Sequence, residues 1–199
     1  MNVSLYSKLN DMKKYELKIE QDTDPINPRK DWDNITTMVC GHRSYDLGDK
    51  HNYKQGDFNS WDEMKKQIKK DYKVLAIKPM YMYDHSGITI STSPFSCRWD
   101  SGQIGWVFIS EKQLNTMCGE DFKRGKKTLE CIIDSEVKNY NQYLTGEVYC
   151  YSIYEIETCN KGHEHKSYVE GCGGYFGEEH CREEGESMLK HYEEEKEVV

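Results

Sequence analysis

Histidine, aspartate and arginine recur in three polar loops of this chain, and they are the residue types from which acid–base and anion-binding chemistry is built. His42, Arg43, Tyr45 and Asp49 fall in the first loop, residues 41–51. Asp84, His85 and Ser86 form the second, and Cys97, Trp99, Asp100 and Ser101 fall in the third, residues 94–105. A histidine beside an aspartate can serve as a general base, and Arg43 can hold an anion. The catalytic set of an enzyme would therefore be His42, Arg43, Asp84, His85 and Asp100. The contacts of a binding protein would include Tyr45, Asp49, Trp99 and Ser101. The competing account is structural: Asp, Ser and Gly are what any tight turn requires, and His85 can simply hydrogen-bond within its own loop. Ser101 or Cys97 with His85 and Asp100 supplies the types needed for acyl transfer, but no GxSxG elbow surrounds the serine.

A second group of candidate ligands lies towards the C-terminus. Cys159, His163, His165 and Cys172 are side-chain types suited to zinc, although their spacing matches no common finger, and a polar hairpin tip accounts for both histidines without metal. Cys40, His42 and His51 make a weaker set of the same kind. No cofactor is demanded by either. There is no GxxxxGK[ST] phosphate cradle. Alternation along residues 146–157 puts Tyr149, Tyr151 and Ile153 on one strand face, suited either to a core or to a protein interface.

The elements that must position these residues are mixed. Short alternating or β-branched runs predict strands at 15–20, 35–40, 74–83, 88–92, 104–109 and 146–157, with a return strand at 166–170. Pro79 makes the 74–83 strand either an edge or a kinked strand. Ser60 followed by Glu63 is a capping box opening a helix at 61–70. Ser110 caps a short helix, Leu129, Ile132, Ile133, Val137, Tyr140 and Leu144 recur at helical spacing, and residues 178–196 form a last helix. The expected class is α+β, with a mostly antiparallel sheet and about three to four helices. One domain is expected over 15–177, preceded by an appended segment, 1–14, and followed by an acidic helix or tail, 178–199.

Composition limits the partners. The 199 residues carry a formal charge of -8, with 27 Lys+Arg against 35 Asp+Glu. Residues 178–199 hold nine of those acids and three bases, so the acidity is concentrated at one end rather than spread over a face as a DNA mimic requires. A basic footprint is confined to Lys65, Lys66, Lys69, Lys70 and Lys73, so direct nucleic-acid binding is not expected. Leu, Ile, Val and Phe are scarce, and 15 Tyr and four Trp must build the core instead. No apolar run is long enough to span a bilayer, and no secretory signal is evident. The expectation is a cytoplasmic protein with reduced cysteines.

Several strings are distinctive. They are His42-Arg43-x-Tyr45-x-Leu47-Gly48-Asp49, Tyr83-Asp84-His85-Ser86-Gly87-Ile88-Thr89 and Pro94-Phe95-Ser96-Cys97-x-Trp99-Asp100-Ser101-Gly102-Gln103-x-Gly105. With Glu136-Val137-Lys138-x-Tyr140 and Gly173-Gly174-Tyr175-Phe176-Gly177 they resemble a group of small proteins encoded by bacteriophages and other mobile elements, over roughly residues 15–177. The resemblance implies a setting in the host bacterial cytoplasm. It also implies an accessory role: stoichiometric inhibition of a host defence protein or nuclease complex, of CRISPR-effector or restriction type. The alternative is a small enzyme, or a metal- or ligand-binding protein, using the His/Asp/Arg loops.

Overall fold

The computed structural model describes residues 14–122, 125–159 and 161–194. In chain order the elements are β1 (Lys14–Gln21), β2 (Thr37–Cys40), α1 (Trp61–Asp71), β3 (Val74–Asp84), β4 (Ile88–Ser91), β5 (Ser101–Ser110), α2 (Glu111–Cys118), α3 (Lys126–Thr145), β6 (Val148–Thr158), β7 (Glu164–Phe176) and α4 (Glu178–Glu194). The class is α+β, as the mixed periodicities predict, with both sheets antiparallel. Apart from Lys14, the appended segment 1–14 lies outside the described residues, as do residues 195–199 of the acidic end. The chain clusters into two compact units. One runs Ile26–Gly146; the other takes the described residues up to Pro25 together with those from Glu147 onward. No helix among the described residues is long and apolar enough to cross a membrane.

In the Ile26–Gly146 unit the strand order is β2-β5-β3-β4. Alternation sends Trp106 and Phe108 of β5 to one face, where they pack with Val39 and with Met64 and Ile68 of α1. Val107 and Ile109 face the other way, with Met38, Met80, Leu129, Ile133, Val137 and Tyr140, the last four from α3. A strand covered on both faces reads as an unbroken apolar run, which is how residues 104–109 appear in the sequence. Each such side chain contributes about 1.5–3 kcal/mol by leaving water. Pro79 sits in β3 opposite Trp106 of β5, before the pairing with β4 begins at Tyr81, so β3 is locally an edge there. The missing N–H is tolerated because the ladder has only one side at that point.

Helix α1 starts where its sequence demands. The Ser60 hydroxyl accepts the Glu63 N–H at 3.2 Å, while the Glu63 carboxylate reaches back one residue further than a standard box, to the N–H of Asn59 at 2.8 Å. Ser60→Ala should cost about 1 kcal/mol and lower the melting temperature by about 2–4 °C. An unchanged melting curve would show that the cap is not holding the helix.

The second unit is a three-stranded sheet, β1-β6-β7, with α4 packed on it. Tyr151, Ile153 and Cys181 are its buried centre, surrounded by Tyr15, Leu17, Tyr149, Tyr175, Met188 and Tyr192. The apolar positions of α4 all serve this face, and its glutamates point to solvent.

Candidate functional site

Register within the four-stranded sheet decides where the polar loops meet. Tyr83 of β3 stands opposite Ser101 of β5, so Asp84 leaves one strand where Asp100 enters the other; the Asp84 N–H donates to the Asp100 carbonyl at 2.8 Å. The turn that follows is tight, with the His85 N–H on the Gly87 carbonyl at 3.1 Å and Ser86 at φ 57°, the left-handed region that a serine occupies only under constraint. The first loop leaves β2 beside the same strand: the Gly41 N–H bonds the Ile104 carbonyl at 2.8 Å. The three loops thus border one open cleft of about 360 Å³, lined by His42, Asp84, Trp99, Asp100, Ser101 and Gln103.

Most of the polar side chains around the cleft have a partner. The Tyr45 hydroxyl donates to Asp84 Oδ2 at 2.9 Å, and that bond, with the carboxylate's charge behind it, raises the tyrosine above its ordinary pKa and keeps it a donor. The His42 ring stacks on Tyr45 at 5.0 Å between centroids, and its Nδ1 accepts the Ser44 N–H at 3.2 Å, which leaves Nε2 for a ligand. His85 Nδ1 lies 3.5 Å from Asp100 Oδ2, and its ring stacks on Tyr83 at 5.8 Å. Cys97 Sγ lies 3.7 Å from the same carboxylate oxygen. The Ser101 hydroxyl donates to the Cys97 carbonyl, so it is committed to holding its own loop rather than to attacking a substrate. Trp99 has no such cover and is 96 % exposed.

Other candidates lie elsewhere. Arg43 is exposed on the first loop. Tyr149 and Tyr151 belong to the core beneath α4, and Tyr151 is buried. Cys40 is buried beside Met80 with Sγ 3.8 Å from the Met80 sulfur, and burial pushes its thiol up to about 12, so it stays protonated and inert. His51 donates Nε2–H to the Cys40 carbonyl at 2.8 Å, a structural bond rather than a ligand arrangement. Cys159 opens the β6–β7 turn, its N–H on the His163 carbonyl at 2.9 Å. Hydrogen bonds from the Lys161 and His163 backbone, then from His165, hold its thiol below the usual range. Cys172 lies on β7 opposite Tyr151. Among the described residues no three His, Cys, Asp or Glu side chains come together as a metal site.

Asp49 is also placed away from the cleft, in a buried ionic cluster that sequence reasoning did not find. At its centre is Arg29, whose side chain is 1 % exposed. Its guanidinium grips Asp49 through Nε, at 3.1 Å, and through Nη2; Nη2 also reaches the Thr36 carbonyl at 2.9 Å. Nη1 reaches Glu136 at 2.9 Å and the Thr36 hydroxyl at 3.3 Å. Glu136 in turn accepts the Ile35 N–H at 2.8 Å, and Asp49 the Met38 N–H at 2.8 Å. The cluster ties the start of β2 and the return of the first loop to α3. A signal was present: Glu136 lies three residues after Ile133 and four before Tyr140, on the apolar stripe of α3, where a carboxylate requires a buried partner.

Comparison of the chain with protein-family models, with curated proteins and with solved structures returns no match.

Proposed function

We propose that this chain is a binding module that works by stoichiometric contact, with the three-loop end of the Ile26–Gly146 unit as its contact face. The observation that carries the reading is Trp99, an indole almost wholly in water at the rim of a cleft holding Asp84 and Asp100. Tryptophan is among the residues most enriched at interface hot spots. Two carboxylates beside an exposed indole suit a basic side chain of the partner, above all arginine, which can stack on the ring and pair with a carboxylate. In the setting implied by the resemblance to phage-encoded proteins, the partner is a host defence protein or nuclease complex in the bacterial cytoplasm, inhibited by occupancy.

The His85–Asp100 pair favours the other reading, a small enzyme using the same loops. Two substitutions separate them. Trp99→Ala should weaken binding of a captured defence complex by about 2 kcal/mol or more, roughly 30-fold, with no change in melting temperature. His85→Asn should keep most of the binding, since asparagine can still donate. Equal affinity of the Trp99→Ala protein would refute the contact face; a folded but inactive His85→Asn protein would favour the enzyme.

A further inference from the structure

The lysines of α1 belong to neither the cleft nor the ionic cluster. Whole-chain charge argues against a polyanionic partner, but the two units differ. Residues 26–146 hold 18 Lys+Arg against 16 Asp+Glu, a net of +2, whereas the remainder holds nine against 19, a net of -10. Within the positive unit, two of the three carboxylates on α1, Glu63 and Asp71, are engaged by neutral donors, and the third, Asp62, is exposed in the first turn. Asn59 bonds Glu63 through both its backbone and its side chain and, with a smaller pull from Lys66, lowers that group's pKa. Asp71 takes the Tyr53 hydroxyl at 2.8 Å and the Gln67 amide at 2.8 Å. Lys73 pairs with Glu111, and Lys65 lies over the Trp106 ring at 4.5 Å. That leaves Lys66, Lys69 and Lys70 exposed, with no ion pair among the described residues. Lys65–Lys69 and Lys66–Lys70 are like-charge pairs at i,i+4, a spacing that destabilises a helix. An anion lying along this face would relieve both.

Beside the C-terminal end of the helix is a cleft of about 570 Å³ lined by Lys50, His51, Asn52, Tyr53, Tyr72 and the Asp71 whose carboxylate takes the Tyr53 hydroxyl, among others. Tyr72 is exposed and rests on Phe108 with ring centroids 5.2 Å apart and planes tilted by 47°. His51 spends Nε2–H on the Cys40 carbonyl, and its Nδ1 is buried with no hydrogen-bond partner among the described residues. Unpaired ammonium groups on a helix whose last residue, Asp71, borders a cleft lined by Tyr53 and Tyr72 suit single-stranded nucleic acid, with phosphates on the charges and a base on the ring. An acidic polypeptide would use the lysines and leave the aromatic cleft idle. A duplex keeps its bases stacked inside.

We infer that α1 and the adjoining Tyr53–Tyr72 cleft form a binding site for single-stranded nucleic acid. The probe is a fluorescein-labelled oligothymidylate of roughly 12 nucleotides, followed by anisotropy between about 50 and about 200 mM salt. The triple variant Lys66→Gln/Lys69→Gln/Lys70→Gln, with its melting curve intact, should bind at least tenfold more weakly at the lower salt. Its slope of log affinity against log salt should fall by about 2, close to 0.7 for each lost phosphate contact. Tyr72→Leu keeps apolar contact with Phe108 but removes the ring, and should weaken binding about tenfold or more with the slope unchanged. Trp99→Ala should have no effect, because the two sites are separate. Unchanged binding in the triple variant would overturn the inference. So would polyglutamate or a duplex of equal length competing as well as the single strand, since the site would then be reading charge alone.

Discussion

Replacing Arg29 with alanine is expected to lower the unfolding free energy of the Ile26–Gly146 unit by about 3–5 kcal/mol, the range found when one partner of a buried ionic group is deleted. The arginine side chain donates to two carboxylates, a hydroxyl and a carbonyl, and its loss leaves Asp49 and Glu136 facing one another with only backbone and Thr36 donors to answer them. Lysine cannot restore it, because a single ammonium cannot grip Asp49 through two nitrogens and still reach Glu136 and the Thr36 carbonyl. The consequence extends to the proposed contact face. The loop carrying His42 and Tyr45 returns through Asp49, whose N–H bonds Met38 at 2.9 Å, so releasing Asp49 frees one anchor of that loop. Urea unfolding of Arg29→Ala measures the first effect. A loss below about 1 kcal/mol would mean that the cluster is dispensable.

The second large effect is expected at Gly105. This residue of β5 lies opposite Cys40 on β2 and Met80 on β3, and a Cβ built there would sit 1.9 Å from the Val39 carbonyl oxygen and 3.0 Å from Cys40 Cα. Both obstacles are backbone, so no side chain can swing aside. Gly105→Ala must push β2 off β5, which breaks the short ladder and the Gly41–Ile104 bond from which the first loop departs. A loss above about 4 kcal/mol is expected, enough to leave the protein largely insoluble on expression. Gly102→Ala, three residues earlier on the same strand with open space around its Cβ, is the control and should change stability by no more than about 0.5 kcal/mol. Equal stability of the two variants would show that β2 and β5 are not packed as tightly as the register requires.

Much of this fold was legible because its signals are local. The Ser60 cap, the α3 stripe and the 74–83 run all become the predicted elements within a residue or so. What was not legible depends on partners distant in sequence. Strand β5 begins at Ser101 rather than at Ile104, since pairing with Tyr81–Tyr83 draws polar residues and a glycine into the ladder. Strand β7 runs Glu164–Phe176, far beyond the expected 166–170. It continues past Gly171 because β6 supplies partners as far as Cys172 and again at Tyr175 and Phe176, with Gly173 and Gly174 forming a bulge between them in which Gly174 takes a positive φ of 81°. The convergence of the second and third loops follows from the same Tyr83–Ser101 register, which no single-strand pattern encodes. Arg29 escaped notice because it lies in a turn-rich loop between Pro28 and Lys30, where a basic residue ordinarily reads as solvated surface.

The claim that matters most is stoichiometric contact through the three-loop face, and a titration tests it directly. A fixed amount of the host nuclease complex that the proposed function requires as partner is mixed with increasing amounts of the wild-type protein, and residual nuclease activity is read after a short and a long incubation. The account predicts a linear fall to an equivalence point near one chain per binding site. That point should be the same at both times, and Trp99→Ala should require roughly 30-fold more protein. Progressive inactivation by sub-stoichiometric amounts, or a Trp99→Ala curve that overlays the wild type, would contradict it.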